Sequence, residues 1–132
     1  MTELPITHLP PSGDHRGVSF ALADLSAIGP VADVHVASVR PGHVRGGHYH
    51  ARKGELIAVV YEDAWSLHWD TGPDTPSHHR TFTGSGGIVV APPPHWAHAV
   101  RNDGRADLWL FVASDRPYDP ADPDAFPREV TD

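Results

Sequence analysis

The chain has 132 residues, no cysteine, and a formal charge of −7 with its 11 histidines counted neutral. That length fits one domain, and the missing cysteines exclude thiolate metal sites and thiol catalysis. A nucleic-acid partner is excluded by the charge, since no cationic run is longer than Arg52-Lys53.

No apolar run approaches a membrane span. Met1-Thr2-Glu3-Leu4-Pro5 offers neither a positive n-region nor an apolar h-region, so the expected location is cytoplasmic. The 14 prolines and 12 glycines cut the chain into short pieces. The helix candidates are short, around Leu22 to Ile28 and in the tail. Asp33 to Arg40 reads as a strand ending at Pro41-Gly42, and Gly47 to Ala51 as a second, short one. Glu55 to Tyr61 is almost continuously apolar and predicts a strand buried on both faces. Ala64 to Asp70 alternates, with Trp65, Leu67 and Trp69 on one face and Ser66 and His68 on the other. After a Gly/Pro loop, His79 to Thr83 and Ile88 to Ala91 read as strands. Ala97 to Asn102 and Asp107 to Ala113 predict a hairpin across Asp103-Gly104-Arg105.

Beyond Asp115, a proline every few residues forbids ladder strands and predicts either an ordered extended arm or a partly mobile tail. Its acids, Asp115, Asp119, Asp122, Asp124, Glu129 and Asp132, read as solvent-facing. Short strands at regular spacing argue for an all-β sandwich or barrel.

The chemistry sits in Gly46-Gly47-His48-Tyr49-His50-Ala51-Arg52-Lys53-Gly54-Glu55. Residues two apart on a strand share a face, so the imidazoles of His48 and His50 project side by side. Glu55 follows after a tight turn, and Pro92-Pro93-Pro94-His95-Trp96-Ala97-His98 offers His98 as a fourth donor. Three imidazoles and one carboxylate suit one divalent transition metal (Zn, Ni, Fe, Mn or Cu) and not the oxygen-only cage of calcium or magnesium. His-x-His on a strand also arises by chance, and His95 is either a competing ligand or a loop residue near the pocket mouth.

Glycine spacing extends the pattern. Gly42 precedes His48, His50 and Glu55, and Gly87 precedes Pro93, His98 and Asn102. These runs resemble the two motifs of the cupin superfamily across Asp33 to Ala113. The resemblance implies a single cupin (jelly-roll) β-barrel over residues 1–132, with a core at about 33–113 and an extended C-terminal arm over 114–132. It also implies that His48, His50, Glu55 and His98 are the metal ligands. Two departures stand at turn positions: Glu62 and His95 occupy places where the family usually has glycine.

Arg45-Gly46-Gly47-His48-Tyr49-His50-Ala51-Arg52-Lys53-Gly54-Glu55 further resembles the Arg-Gly-x-His-Tyr-His-x-x-Lys-x-Glu run of nucleotide-sugar cupins. The parallel is with the C-terminal cupin domain of capsular polysaccharide biosynthesis reductase–epimerases, and Phe111 to Asp124 is similar to the end of that domain. Sugar 3,4-ketoisomerases share the opening but usually carry Gln in place of Glu55. The implied activity is metal-assisted proton transfer beside a ketone of a nucleotide-linked deoxysugar, an isomerase or epimerase reaction on a small-molecule substrate. No Gly-rich dinucleotide fingerprint is present, so the expectation is a cupin acting alone or with separate partners.

Proton transfer needs a base within reach. His68 is the first candidate if its face of the strand turns inward, and it is a surface residue if that face turns outward. Tyr61, on the same parity as Glu55, is the other. Arg45 either neutralises a sugar-nucleotide phosphate or serves structure, and Trp96 either walls the pocket mouth or packs in the core. The same ligands would also serve a metal-dependent dioxygenase, a natural-product cyclase or lyase, or a non-enzymatic ligand-binding cupin. Trp65, Leu67 and Trp69 pack either inside or against a second subunit, and a homodimer is the expected assembly.

Overall fold

The computed structural model describes residues 2–22 and 27–131. No helix occurs among these residues, and none is long and apolar enough to cross a membrane. The helical turn expected around Leu22 to Ile28 falls largely on residues 23–26, outside the described residues.

Two five-stranded antiparallel sheets form the fold. In order, the first comprises β1 (Thr7–His8), β9 (Gly86–Val90), β6 (Glu55–Tyr61), β11 (Leu108–Ser114) and β4 (Asp33–Val39). The second comprises β12 (Phe126–Pro127), β5 (Val44–Tyr49), β10 (His98–Asn102), β7 (Trp65–Trp69) and β8 (His78–Phe82). A small hairpin of β2 (Ser12–Asp14) and β3 (Gly17–Ser19) stands apart. This is the jelly-roll arrangement, with one correction: the sheets face each other as a sandwich and do not close into a barrel.

Side-chain alternation decides what fills the space between the sheets. Ile57, Val59 and Tyr61 of β6 meet Leu110 and Val112 of β11 from one side, and Trp65, Leu67, Trp69 and Val100 from the other. The Trp65 ring stacks on Phe82 at 4.3 Å and takes the edge of Tyr61 at 5.6 Å. Trp65, Leu67 and Trp69 therefore pack inside, which removes the reason for placing a second subunit on them. Each such side chain contributes roughly 1.5–3 kcal/mol through removal of apolar surface from water. The opposite face of sheet one is different: Val34 and Val36 of edge strand β4 and Trp109 and Phe111 of β11 stay exposed.

The hairpin expected across Asp103-Gly104-Arg105 does not form, because β10 and β11 belong to different sheets. Asn102 explains the crossing. Its buried Nδ2 donates to the carbonyls of Val39 and Ala106, each at 2.8 Å, and its Oδ1 accepts the Gly104 N–H at 2.9 Å. Asp63 accepts the Arg105 N–H at 2.9 Å. These bonds pin a corner that sends the chain across the sandwich, leaving β10 to pair with β5 and β7 and β11 to pair with β4 and β6.

The two faces are distinguishable by mutation. Leu67→Ala is expected to cost about 2–5 kcal/mol of unfolding free energy in urea titrations. Val34→Ala, on the exposed face, is expected to cost less than about 0.5 kcal/mol.

Candidate metal centre

His48, His50, Glu55 and His98 come together, their ligand-capable atoms all within 4.8 Å of one another. Glu55 opens β6 on the parity of Ile57 and Val59, so its carboxylate faces the core. His98 opens β10, and the register pairs it with Trp69, also a core residue.

His48 reaches the same space through a bulge. A regular strand would put Arg45 and His48 on opposite faces, since three residues is an odd step. Here Arg45 pairs with Val100, Gly46 with Ala99 and His48 with His98, so Gly47 is an extra residue and both side chains turn inward. Gly46 has φ 98° and Gly47 φ 73°. A Cβ on Gly46 would lie 2.6 Å from the His98 carbonyl oxygen, so Gly46 is what lets β5 approach β10 this closely, while Gly47 supplies the left-handed backbone of the bulge.

The hydrogen bonds set the imidazole tautomers. His50 Nδ1 lies 2.6 Å from the Asp124 carbonyl oxygen, and His98 Nδ1 lies 3.1 Å from that of Trp96. A carbonyl only accepts, so each Nδ1 carries the proton and each Nε2 is turned to the cluster. His50 Nε2 stands 3.3 Å from one Glu55 oxygen, and His98 Nε2 stands 3.4 Å from the other. His50 Nε2 is buried and has no hydrogen-bond partner, the Glu55 contact falling short of good geometry.

Burial works against the charge on Glu55, but the His50 and His98 imidazoles outweigh it and hold the carboxyl well below its usual range. His50 is buried too, yet Glu55 and the Asp124 carbonyl raise its pKa above the ordinary value. Burial, then repulsion from His98 and His50, brings His48 down to about 4. The donors fit a transition ion. Ligand atoms about 2.0–2.2 Å from one ion stand roughly 3–3.5 Å apart at tetrahedral or octahedral angles, which the Glu55 to imidazole separations of 3.3 and 3.4 Å match.

A cavity of about 200 Å³ opens beside the cluster, with His48, Glu55 and His98 on one side and Ile57, Leu110 and Val112 as apolar wall. Arg45 also lines it, with its Nε donating to the Ser38 carbonyl at 2.6 Å. The other residues expected at the site lie elsewhere. His68 pairs with Ala99, on the opposite face of sheet two from His98. It is buried there, 2.8 Å from Ser66 Oγ and stacked on His79 at 5.6 Å, so it faces away from the cluster. Alternation with the inward tryptophans is the reason. Tyr61 faces the core but at the far end of β6, six residues or about 20 Å from Glu55, against Trp65 and Phe82. Trp96 packs against the core and is not part of the cavity lining. His95, where the motif usually has glycine, takes the glycine-like φ of 71°. Glu62 needs no positive φ.

The tail requires two corrections: Phe126–Pro127 does form a short ladder strand, edge-paired with Tyr49 and His48 of β5, and its acids are not all solvent-facing. Asp124 is 5% exposed, and its carboxylate accepts backbone N–H bonds from Ala51 at 3.0 Å, Arg52 at 2.9 Å and Lys53 at 2.7 Å. Asp115 accepts the Gly54 N–H at 2.9 Å. Two tail carboxylates thus fix the loop between His50 and Glu55. Arg128 then ties the arm down, bidentate on buried Asp70 at 2.6 and 2.7 Å, bonded to the His95 carbonyl at 2.7 Å and lying over the Tyr49 ring at 4.5 Å. The one sequence signal for these roles was the resemblance of Phe111 to Asp124, a stretch that metal ligation alone does not require.

The model of the polysaccharide biosynthesis C-terminal domain matches residues 12–126. The chain belongs to that family. A search of curated proteins gives no match. Among solved structures, the capsular polysaccharide assembling protein CapF from Staphylococcus aureus is similar at 22% identity and TM-score 0.63, over 92% of this chain and 33% of that one. This chain therefore spans about a third of the CapF chain it matches. A 3,4-ketoisomerase from Helicobacter canadensis matches at 16% identity and TM-score 0.69, over 96% of this chain and 91% of that one. The 3,5-epimerase RmlC from Legionella pneumophila, in complex with dTDP-4-keto-L-rhamnose, matches at 18% identity and TM-score 0.69, over 92% and 70%. These likenesses establish the cupin fold.

Asp124→Ala strips an acceptor from three backbone N–H groups, and a loss of about 2–4 kcal/mol is expected. Thermal and urea unfolding of the metal-free protein measure it.

Proposed function

We propose that this domain is a metal-dependent isomerase or epimerase that moves a proton beside a ketone of a nucleotide-linked sugar. The observation that carries the reading is the convergence of three imidazoles and one buried carboxylate at the wall of a sugar-sized cavity. The ion, when bound, would supply a Lewis acid that draws electron density from a ketone oxygen. His48, His50, Glu55 and His98 would hold it, with the Asp124 and Trp96 carbonyls keeping two of the imidazoles in the ligating tautomer.

The rest of the work falls to the chain itself. Ile57, Leu110 and Val112 keep one side of the cavity dry, which strengthens every charge interaction there. Arg45, held by Ser38, presents a permanent cation for a diphosphate. Support comes from the family and from fold neighbours that include a ketoisomerase and an epimerase crystallised with a keto-sugar nucleotide.

Incubation of the metal-loaded protein with a dTDP-4-keto-6-deoxysugar in D2O tests the reading. Deuterium is expected on the carbon beside the ketone, seen by mass spectrometry, with no oxygen uptake. Oxygen consumption tied to turnover would replace this reading with a dioxygenase.

Metal binding has its own expected signature. His50 holds its proton above the ordinary pKa in the metal-free fold, whereas Glu55 is already ionised and His48 already neutral near pH 7. The ion must displace the His50 proton, so affinity should fall as pH drops through and below that range and level off above it. Calorimetry in buffers of different ionisation enthalpy reads the proton released. Glu55→Gln and His48→Ala should each weaken binding at least 100-fold.

The homodimer belongs to this reading as well, now placed on the exposed face of Val34, Val36, Trp109 and Phe111. Edge strand β4 and its apolar outer face can meet their own copy across a two-fold axis, covering both. Light scattering should give a dimer for the native chain and a monomer for Val36→Lys/Trp109→Lys.

A further inference from the structure

We propose that His35 is the catalytic base of this site and that Asp33 is its positioning residue, an inference that rests on the isomerase reading above. His35 lies on β4, with Ala37 and Val39 on the same parity. The register carries it across β11 to Val112 and on to Ile57, both core-facing. It therefore faces the cavity, which it lines together with His48, Glu55 and His98.

Elimination leaves no equal. Among the described residues that line this cavity, the titratable ones are His35, Arg45, His48, Glu55 and His98. Three of these would be occupied as ligands, and a guanidinium gives up no proton in water. His35 is the remaining imidazole.

Its surroundings suit the task. His35 Nδ1 stands 3.4 Å from Asp33 Oδ2, so the carboxylate can hold the Nδ1 proton and leave Nε2 as the acceptor. That spacing is looser than a good hydrogen bond, as it often is before substrate binds. The register also sets Asp33, Ser114 and Glu55 at one level across neighbouring strands. Two strand spacings are about 10 Å, which leaves room for a sugar ring between the cluster and the imidazole. The His35 side chain is 52% exposed, so a proton it accepts can exchange with water.

The step balances without a co-reactant. The C–H bond beside the ketone breaks, and its proton passes to His35 Nε2. The electron pair forms a carbon–carbon double bond while the carbonyl π pair moves onto oxygen. Transfer of the hydroxyl proton on the deprotonated carbon to the enolate oxygen, followed by return of the His35 proton to the former carbonyl carbon, forms the ketone at the neighbouring position and restores neutral His35.

The test uses full-length protein loaded with metal and the dTDP-4-keto-6-deoxysugar in D2O. His35→Ala is expected to lower the deuterium exchange rate at least 100-fold with metal content and thermal unfolding unchanged, and added imidazole should restore part of it. Asp33→Asn should lower kcat while leaving KM near that of the native protein. Native-like exchange by His35→Ala, or loss of metal along with exchange, overturns the assignment and leaves the isomerase reading standing. Absence of exchange in the native protein overturns both.

Discussion

A carboxylate 7% exposed inside an apolar sandwich is the constraint around which this molecule is arranged. Removing such a charge from water costs several kcal/mol, and only close, well-placed partners offset it. Glu55 has two imidazoles within 3.4 Å, and they in turn lean on main-chain carbonyls of Asp124 and Trp96. The Gly46-Gly47 bulge then turns His48 into the same space. Each support is backbone, or is fixed by backbone, so the cluster is held by the rigid part of the fold.

The C-terminal arm belongs to the site as much as the strands do. Its carboxylates fix the loop between two would-be ligands, and Arg128 locks the arm to Asp70, whose other bonds go to the Ala97 and Gly72 N–H groups. Asp70 is buried, which opposes its charge, but Arg128 and those N–H groups together keep its pKa low. Val130 completes the closure by packing on Ala97 and Ala99, beneath the outer face of sheet two. The segment that looks least structured by composition is therefore the one that braces His50 from behind.

Parity divides the histidines into two populations. Those on core-facing positions near the cavity, His35, His48 and His98, share a space with Glu55. Those on the other face of sheet two, His68 and His79, stack on each other with a sheet between them and the cluster. Chemistry concentrates at one end of the sandwich, while Tyr61, Trp65 and Phe82 close the other with aromatic packing.

Local pattern was enough for the longer strands, though not for the short β1, β2, β3 and β12, and it singled out four residues that converge. The unbroken apolar run Glu55–Tyr61 and the alternation from Trp65 to Trp69 recover β6 and β7 to within a residue, although β7 is buried on both faces, polar Ser66 and His68 included. The pairing of His48 with His50 and the turn to Glu55 were likewise visible in local spacing, whereas His98, on the other sheet from Glu55, was joined to them by the resemblance to the cupin motifs. Non-local facts were decided only in three dimensions: which way the Trp65 face turns, that β10 and β11 part at the Asn102 corner, and that Asp124 caps a loop 71 positions away. Alternation fixes two faces but not which of them is inward, and a bulge reverses the parity that a reader would count. A lone acid in a proline-rich tail reveals its three N–H partners only when the chain has folded back upon them.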